Sequence, residues 1–246
     1  DSMSSLGVNN VTVVVQQRMS EIDNMMTMEV PGEGDLITTE MLDAMRAEVE
    51  GVDNYSVSET TGSGKAKDGR KYANVSVTGT SEAYLDANNI ELLTGRYLNE
   101  KDLQGRKYVA VVSDFLVSKM FPGMSEKEVL GEEVKVSLND DIVNFTIVGV
   151  YKNVDSPYAM MMSSASENDK RTALYIPVTT SQRITGLEGG YQSVTVTTDI
   201  GKDSVAIADD IQKFLNRYYE NNTHFQVYAV SMESMVSQMT SMLDTV

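Results

Sequence analysis

The chain of 246 residues predicts an α+β fold in two subdomains, a discontinuous one of residues 1–81 plus 171–246 and a smaller α/β one, residues 82–170, inserted into it. Three observations predict it. The opening part reads strand, helix, strand, strand; the closing part reads strand, helix, strand, helix, strand; and the segment between them has a helix and a hairpin of its own.

Val11, Val13 and Val15 share one face of a β-branched run, so Val11 to Arg18 reads as a half-buried strand. Met19 to Asp35 has no period and reads as loop. Thr38 offers an N-cap oxygen, Glu40 suits the first turn, and Met41, Leu42, Met45 and Val49 recur on one helical face that Gly51 ends. Asn54 to Thr61 and Lys71 to Gly79 alternate as two strands, joined by a glycine-rich charged loop, Gly62 to Arg70.

In the insert, Ser81 caps a short helix that Asn88 and Asn89 end in the left-handed conformation. Leu92 to Asp102 reads as an irregular turn in which Gly95 gives backbone freedom and Arg96 reaches a carboxylate or carbonyl. Tyr108 to Val112 is a strand, and Ser113 caps a helix bearing Phe115, Leu116, Met120 and Phe121 that Pro122-Gly123 stops. Ser125 and Glu128 have capping-box spacing. Glu133 to Leu138 and Ile142 to Asn153 form a hairpin around Asn139-Asp140-Asp141, and the Met- and Ser-rich stretch Ser156 to Lys170 reads as a mobile excursion.

A strand from Arg171 ends in Tyr175-Ile176-Pro177, followed by a helix from about Thr180 to Gly186 and a strand from Gln192 to Thr198. Asp203 or Ser204 caps a helix with Ile207, Ile211, Phe214, Leu215 and Tyr218 at helical spacing, and Phe225, Val227 and Ala229 alternate in a last strand. Met232, Met235, Val236, Met239, Met242, Leu243 and Val246 then follow helical steps, as a cap on the core or as a stalk leading to a membrane span.

Composition excludes several chemistries. A net charge of −16 and the lack of a basic run speak against nucleic acid, and Gly69-Arg70-Lys71 reads as a solvated turn. With no cysteine, disulfides and thiolate zinc sites are excluded. Thr61-Gly62-Ser63-Gly64-Lys65 fails as a phosphate loop, because Glu59 and Ala66 stand where Gly and Ser/Thr are needed. The sole His224 has no nucleophile motif nearby, and Glu132/Glu133, Asp140/Asp141 and Asp209/Asp210 lack a metal-binding loop. No cofactor or metal is expected. A carboxylate-dependent hydrolase built on Asp140 or Asp141 is the weakest of the readings. Met160, Met161 and Met162 are candidates for an adaptable partner contact, since thioethers pack against varied surfaces.

The order of several segments is similar to one family. Leu92-Leu93-Thr94-Gly95-Arg96-Tyr97-Leu98-Asn99-Glu100-Lys101-Asp102, then Tyr108 to Ser113, Val129-Leu130-Gly131-Glu132, Phe145-Thr146-Ile147-Val148-Gly149-Val150-Tyr151 and Tyr175-Ile176-Pro177-Val178 resemble the periplasmic core domain of MacB-like and FtsX-like ABC-transporter permeases. The resemblance makes Gly95, Arg96, Asp102, Gly149 and Pro177 its structural motif residues. It implies a porter-like subdomain of βαβ units with a smaller, Sabre-like insert. It also implies a noncatalytic domain on the extracytoplasmic face, membrane helices flanking it, a homodimeric permease, and a cytoplasmic ABC ATPase that hydrolyses the ATP. The outside partner would be an adaptor, a substrate or a regulator of wall hydrolases. The competing expectation is a secreted or surface-anchored module that binds peptide or glycan.

Overall fold

A computed structural model describes residues 9–18, 29–154 and 169–243. The expected Met160 to Met162 contact lies outside them, as does nearly all of the excursion. The fold is α+β, and the chain divides into two compact units. The first comprises Asp1–Ser58, Asp86–Asn89 and Leu187–Val246; the second comprises Glu59–Leu85 and Ile90–Gly186.

In the first unit, β1 (Asn10–Gln17) runs antiparallel between β10 (Phe225–Ser231) and β9 (Ser193–Thr198), and β9 pairs antiparallel with the start of β2 (Val52–Asp68). Val11, Val13, Val194, Val196 and Val227 are buried beside Leu42 and Met45 of α1 (Thr39–Glu48) and Ile207, Ile211 and Leu215 of α6 (Ser204–Asn216). The expected caps hold. Thr38 Oγ1 accepts the Met41 N–H, and Asp203 Oδ1 accepts those of Val205 and Ala206. Chain 232–243 forms α7 (Met232–Leu243), none of whose residues is buried.

The second unit holds the rest of β2, β3 (Lys71–Thr80), β4 (Leu92–Gly95), β5 (Val109–Ser113), β6 (Glu133–Leu138), β7 (Asp141–Tyr151) and β8 (Arg171–Pro177). Six of these pair in a closed ring, β2-β3-β8-β5-β7-β6 and back to β2, with β4 added to β7. Closure leaves the ring no free edge. Ala73, Val75, Val77, Val112, Val136, Phe145, Leu174 and Ile176 fill it, together with Leu116, Val117 and Met120 of α4 (Asp114–Met120). Helices α3 (Glu100–Gln104) and α5 (Val178–Thr185) complete the unit's elements, while the short α2 (Tyr84–Ala87) is divided, Tyr84 and Leu85 counting with the second unit and Asp86 and Ala87 with the first. Among the described residues no helix is long and apolar enough to cross a membrane.

Two expectations need correction. Residues 62–68 are strand and not loop, because Gly64, Lys65 and Ala66 pair with Leu138, Ser137 and Val136 of β6. The Leu92 to Asp102 turn contains β4 and the start of α3, which Asn99 and Asp102 cap reciprocally. The compact units divide at 58/59 and 186/187, with Asp86–Asn89 of the stretch between counting with the first. β3 and β8 pair with each other in parallel and β8 also pairs with β5, so both strands flanking the insert belong to the second unit.

Candidate functional site: a glycine–arginine clamp with a tyrosine cluster

The segments that looked separate in sequence meet on one face of the second unit. Gly95 takes φ +75 and pairs with Gly149, while the Arg96 N–H donates to the Val148 carbonyl at 3.0 Å. A Cβ at Gly149 would collide with the Arg96 carbonyl, and one at Gly95 with the Val148 carbonyl. Two glycines are therefore what lets β4 lie this close to β7.

Close approach aims Arg96 at Asp102. Its Nη1 lies 2.6 Å from Asp102 Oδ2 and its Nη2 3.2 Å from Oδ1, a two-point pairing. Asp102 Oδ2 also accepts the Asn99 N–H at 3.0 Å, and Lys107 Nζ stands 3.9 Å from Oδ1. The Asp102 side chain is wholly buried while that of Arg96 is 44% exposed. Burial pushes the carboxyl up, but the bonds from Arg96 and Asn99 and the charges of Arg96 and Lys107 outweigh it and hold the group below the usual range. Pro177 sits opposite Thr80 in the β3–β8 ladder and then serves as N-cap of α5, where its missing N–H costs nothing. Hydroxyls of Thr179 and Thr180 reach the Leu103 and Lys107 carbonyls at 2.6 and 2.7 Å, tying α5 to the end of α3.

Sequence reasoning missed the tyrosines, although Tyr97, Tyr151 and Tyr175 lie within quoted segments. Tyr175 lies 5.5 Å from Tyr84, 6.3 Å from Tyr97 and 5.2 Å from Tyr151, ring centre to ring centre, in tilted or edge contacts. Tyr97 Oη pairs with Thr80 Oγ1 at 2.6 Å, and Tyr151 donates to the Ala173 carbonyl at 2.6 Å. Burial raises all four hydroxyls, that of Tyr151 to about 12, so they stay protonated at neutral pH. The arrangement suits rigid support. None of its members titrates near neutrality as an acid–base catalyst would.

The other candidates are dispersed. Asn139 and Asp140 have φ +50 and +69 in a two-residue hairpin turn closed by the Leu138–Asp141 pair. Asp209 lies 2.8 Å from Lys213 on the exposed face of α6, and His224 stands 3.8 Å from Glu29. The backbone of Gly64 and Lys65 is committed to strand pairing. Among the described residues no three of His, Cys, Asp and Glu gather to hold a metal.

A family model for the MacB-like periplasmic core domain matches residues 2–214. The Macrolide export ATP-binding/permease protein MacB of Bdellovibrio bacteriovorus is 24% identical over 216 residues, which are 87% of this chain and 30% of that protein; the chain thus spans under a third of that relative. The periplasmic region of MacB from Actinobacillus actinomycetemcomitans superposes with a TM-score of 0.68 at 16% identity, covering 98% of this chain and 96% of that one. The extracellular domain of the noncanonic ABC-type transporter YknZ from Gram-positive bacteria gives 0.63 at 17% identity, covering 89% and 99%. Order of segments, architecture and these likenesses agree, and the chain belongs to the MacB-like periplasmic core domain family of ABC-transporter permeases.

Proposed function

We propose that this chain relays ATP-driven movement from the membrane to a partner or cargo on the extracytoplasmic face, without chemistry of its own. In this reading the full permease is a homodimer whose flanking helices cross the membrane, and an ABC ATPase on the cytoplasmic side supplies the energy. The named Bdellovibrio relative is an ATP-binding and permease protein, which supports that division of labour. We assign the first unit to the family's porter-like part and the second to its smaller, Sabre-like part. Met160, Met161 and Met162 are the proposed contact with the outside partner.

The observation that carries the reading is α7. Met235, Val236, Met239, Met242 and Leu243 are 39–78% exposed, so an apolar stripe leaves β10 uncovered by the rest of its unit. Such a stripe suits a stalk that packs against neighbouring helices on its way to the bilayer. The rigid clamp around Asp102 supports the same reading, because a relay needs bodies that move as wholes.

Location is tested by a single thiol. Ile200 is 92% exposed and the chain has no cysteine, so Ile200→Cys in the full permease gives one accessible thiol in this domain. A membrane-impermeant maleimide should label it in intact cells. Labelling only after lysis would place the domain on the cytoplasmic side and end the reading.

A further inference from the structure

We propose that Met235, Met239 and Met242 of α7 form a modification site, where a peroxide turns their thioethers into sulfoxides and uncouples the helix from its neighbours. The inference rests on the relay reading above, in which this stripe packs against other helices. Methionine is sorted by exposure in this chain. Of the eight methionines among the described residues, Met45 and Met120 are buried, Met41, Met124 and Met232 are half-buried, and the three exposed ones all lie on α7. Their exposure grows along the helix, from 39% at Met235 through 55% at Met239 to 73% at Met242.

Spacing makes the three a unit. Steps of four and three residues set them on one stripe, with Val236 and Leu243 alongside. Leucine in their place would give the same apolar face at equal or better helix propensity. What the thioether adds is a lone pair open to two-electron oxidants and an oxidation product that is polar and chiral. The chain has no cysteine and no tryptophan, so no thiol or indole within it competes for the oxidant.

The oxidation is balanced with hydrogen peroxide as the only co-reactant. The sulfur lone pair attacks one peroxide oxygen, the O–O bond breaks as the S–O bond forms, and the second oxygen leaves as water with both protons of the peroxide. Sulfur gives up two electrons and the peroxide takes them. The new oxygen is a strong hydrogen-bond acceptor, and an apolar seam between helices offers it no donor, so packing there is lost. No residue of α7 is buried, so the fold of the domain is not held by these three side chains. Coupling is hit and the domain is spared.

The test treats the reconstituted permease and its ATPase with hydrogen peroxide and reads sulfoxides by peptide mass spectrometry. In parallel it follows the ATP-induced distance change between spin labels attached beforehand at Ile200→Cys in the two copies. Met235, Met239 and Met242 should oxidise at least about tenfold faster than Met45 and Met120. Treated wild type should lose the distance change and regain it with a methionine sulfoxide reductase. In Met235→Leu/Met239→Leu/Met242→Leu, the change measured after peroxide should equal that measured before it; if this variant shows none at the start, recovery with the reductase decides alone. This chain by itself, once oxidised at the three positions, should melt within about 2 °C of the untreated chain. Slow oxidation of the three in the permease, a distance change that survives their oxidation, or an equal loss in the leucine variant would each overturn the proposal. A permease with no ATP-induced change before treatment contradicts the relay reading instead, and oxidation rates on this chain then decide the site.

Discussion

Replacing Asp102 with Asn is the sharpest probe of the clamp, because it removes a charge and leaves the shape. The wild-type carboxylate is fully buried, accepts two Arg96 N–H groups at 2.6 and 3.2 Å, and takes the Asn99 N–H at 3.0 Å. Breaking a fully buried ion pair costs about 3–5 kcal/mol. Arg96 is 44% and Lys107 50% exposed, so water recovers part of that and we expect about 2–3 kcal/mol. For a chain of this size that is about 5–10 °C in Tm. Linkage fixes the pH dependence. The folded pKa lies below the unfolded value of about 3.9, so the stabilisation is complete above it and is lost as pH falls through the depressed folded value. The gap between wild type and Asp102→Asn, read by urea unfolding followed by circular dichroism, should be constant near pH 7 and close on the acid side. A gap under about 0.5 kcal/mol at pH 7, or one unchanged down to pH 2, would refute the reasoning.

Gly149→Ala should destabilise by about 3 kcal/mol or more, since its Cβ meets the Arg96 backbone and no side chain can yield there; a thermal melt checks it. Glu59 runs opposite to Asp102: burial raises its pKa, against the Ser181 hydroxyl that donates to it at 2.6 Å. Stability is therefore fullest below its unfolded value of about 4.3 and falls as pH rises through the raised folded one, so Glu59→Gln should gain up to about 1 kcal/mol at pH 7 and nothing at pH 4. On the outer edge of β10, Asn216 accepts the Val227 N–H at 2.8 Å and donates to its carbonyl at 3.0 Å, and Gln212 accepts the Ala229 N–H at 3.0 Å. Asn216→Ala should cost about 1–2 kcal/mol and, by baring the strand edge, promote self-association visible in light scattering.

Local chemistry was legible where one residue sets it. Thr38, Ser113, Asp203 and the Ser125/Glu128 pair cap as their types predict, and Asn89 takes the left-handed φ of +52 expected of it. Arg96 finds the carboxylate that its own segment supplies. What escaped is nonlocal. Residues 62–68 look like loop by their glycines, and only pairing with β6 makes them strand. Closing the ring requires six strands to find each other across more than a hundred residues, which no periodicity announces. The tyrosines read as ordinary strand and turn residues until β8 brings Tyr175 among the other three.

The central claim is that membrane-driven motion passes through this domain by way of α7. Spin labels at Ile200→Cys in both copies of the reconstituted permease and its ATPase report the distance between domains with and without ATP. The account predicts that ATP shifts that distance. It also predicts that Ser237→Pro, which breaks α7 where no residue is buried, abolishes the shift while ATP hydrolysis continues and the isolated domain melts as wild type does. A distance indifferent to ATP, or one that shifts equally in Ser237→Pro, would contradict it.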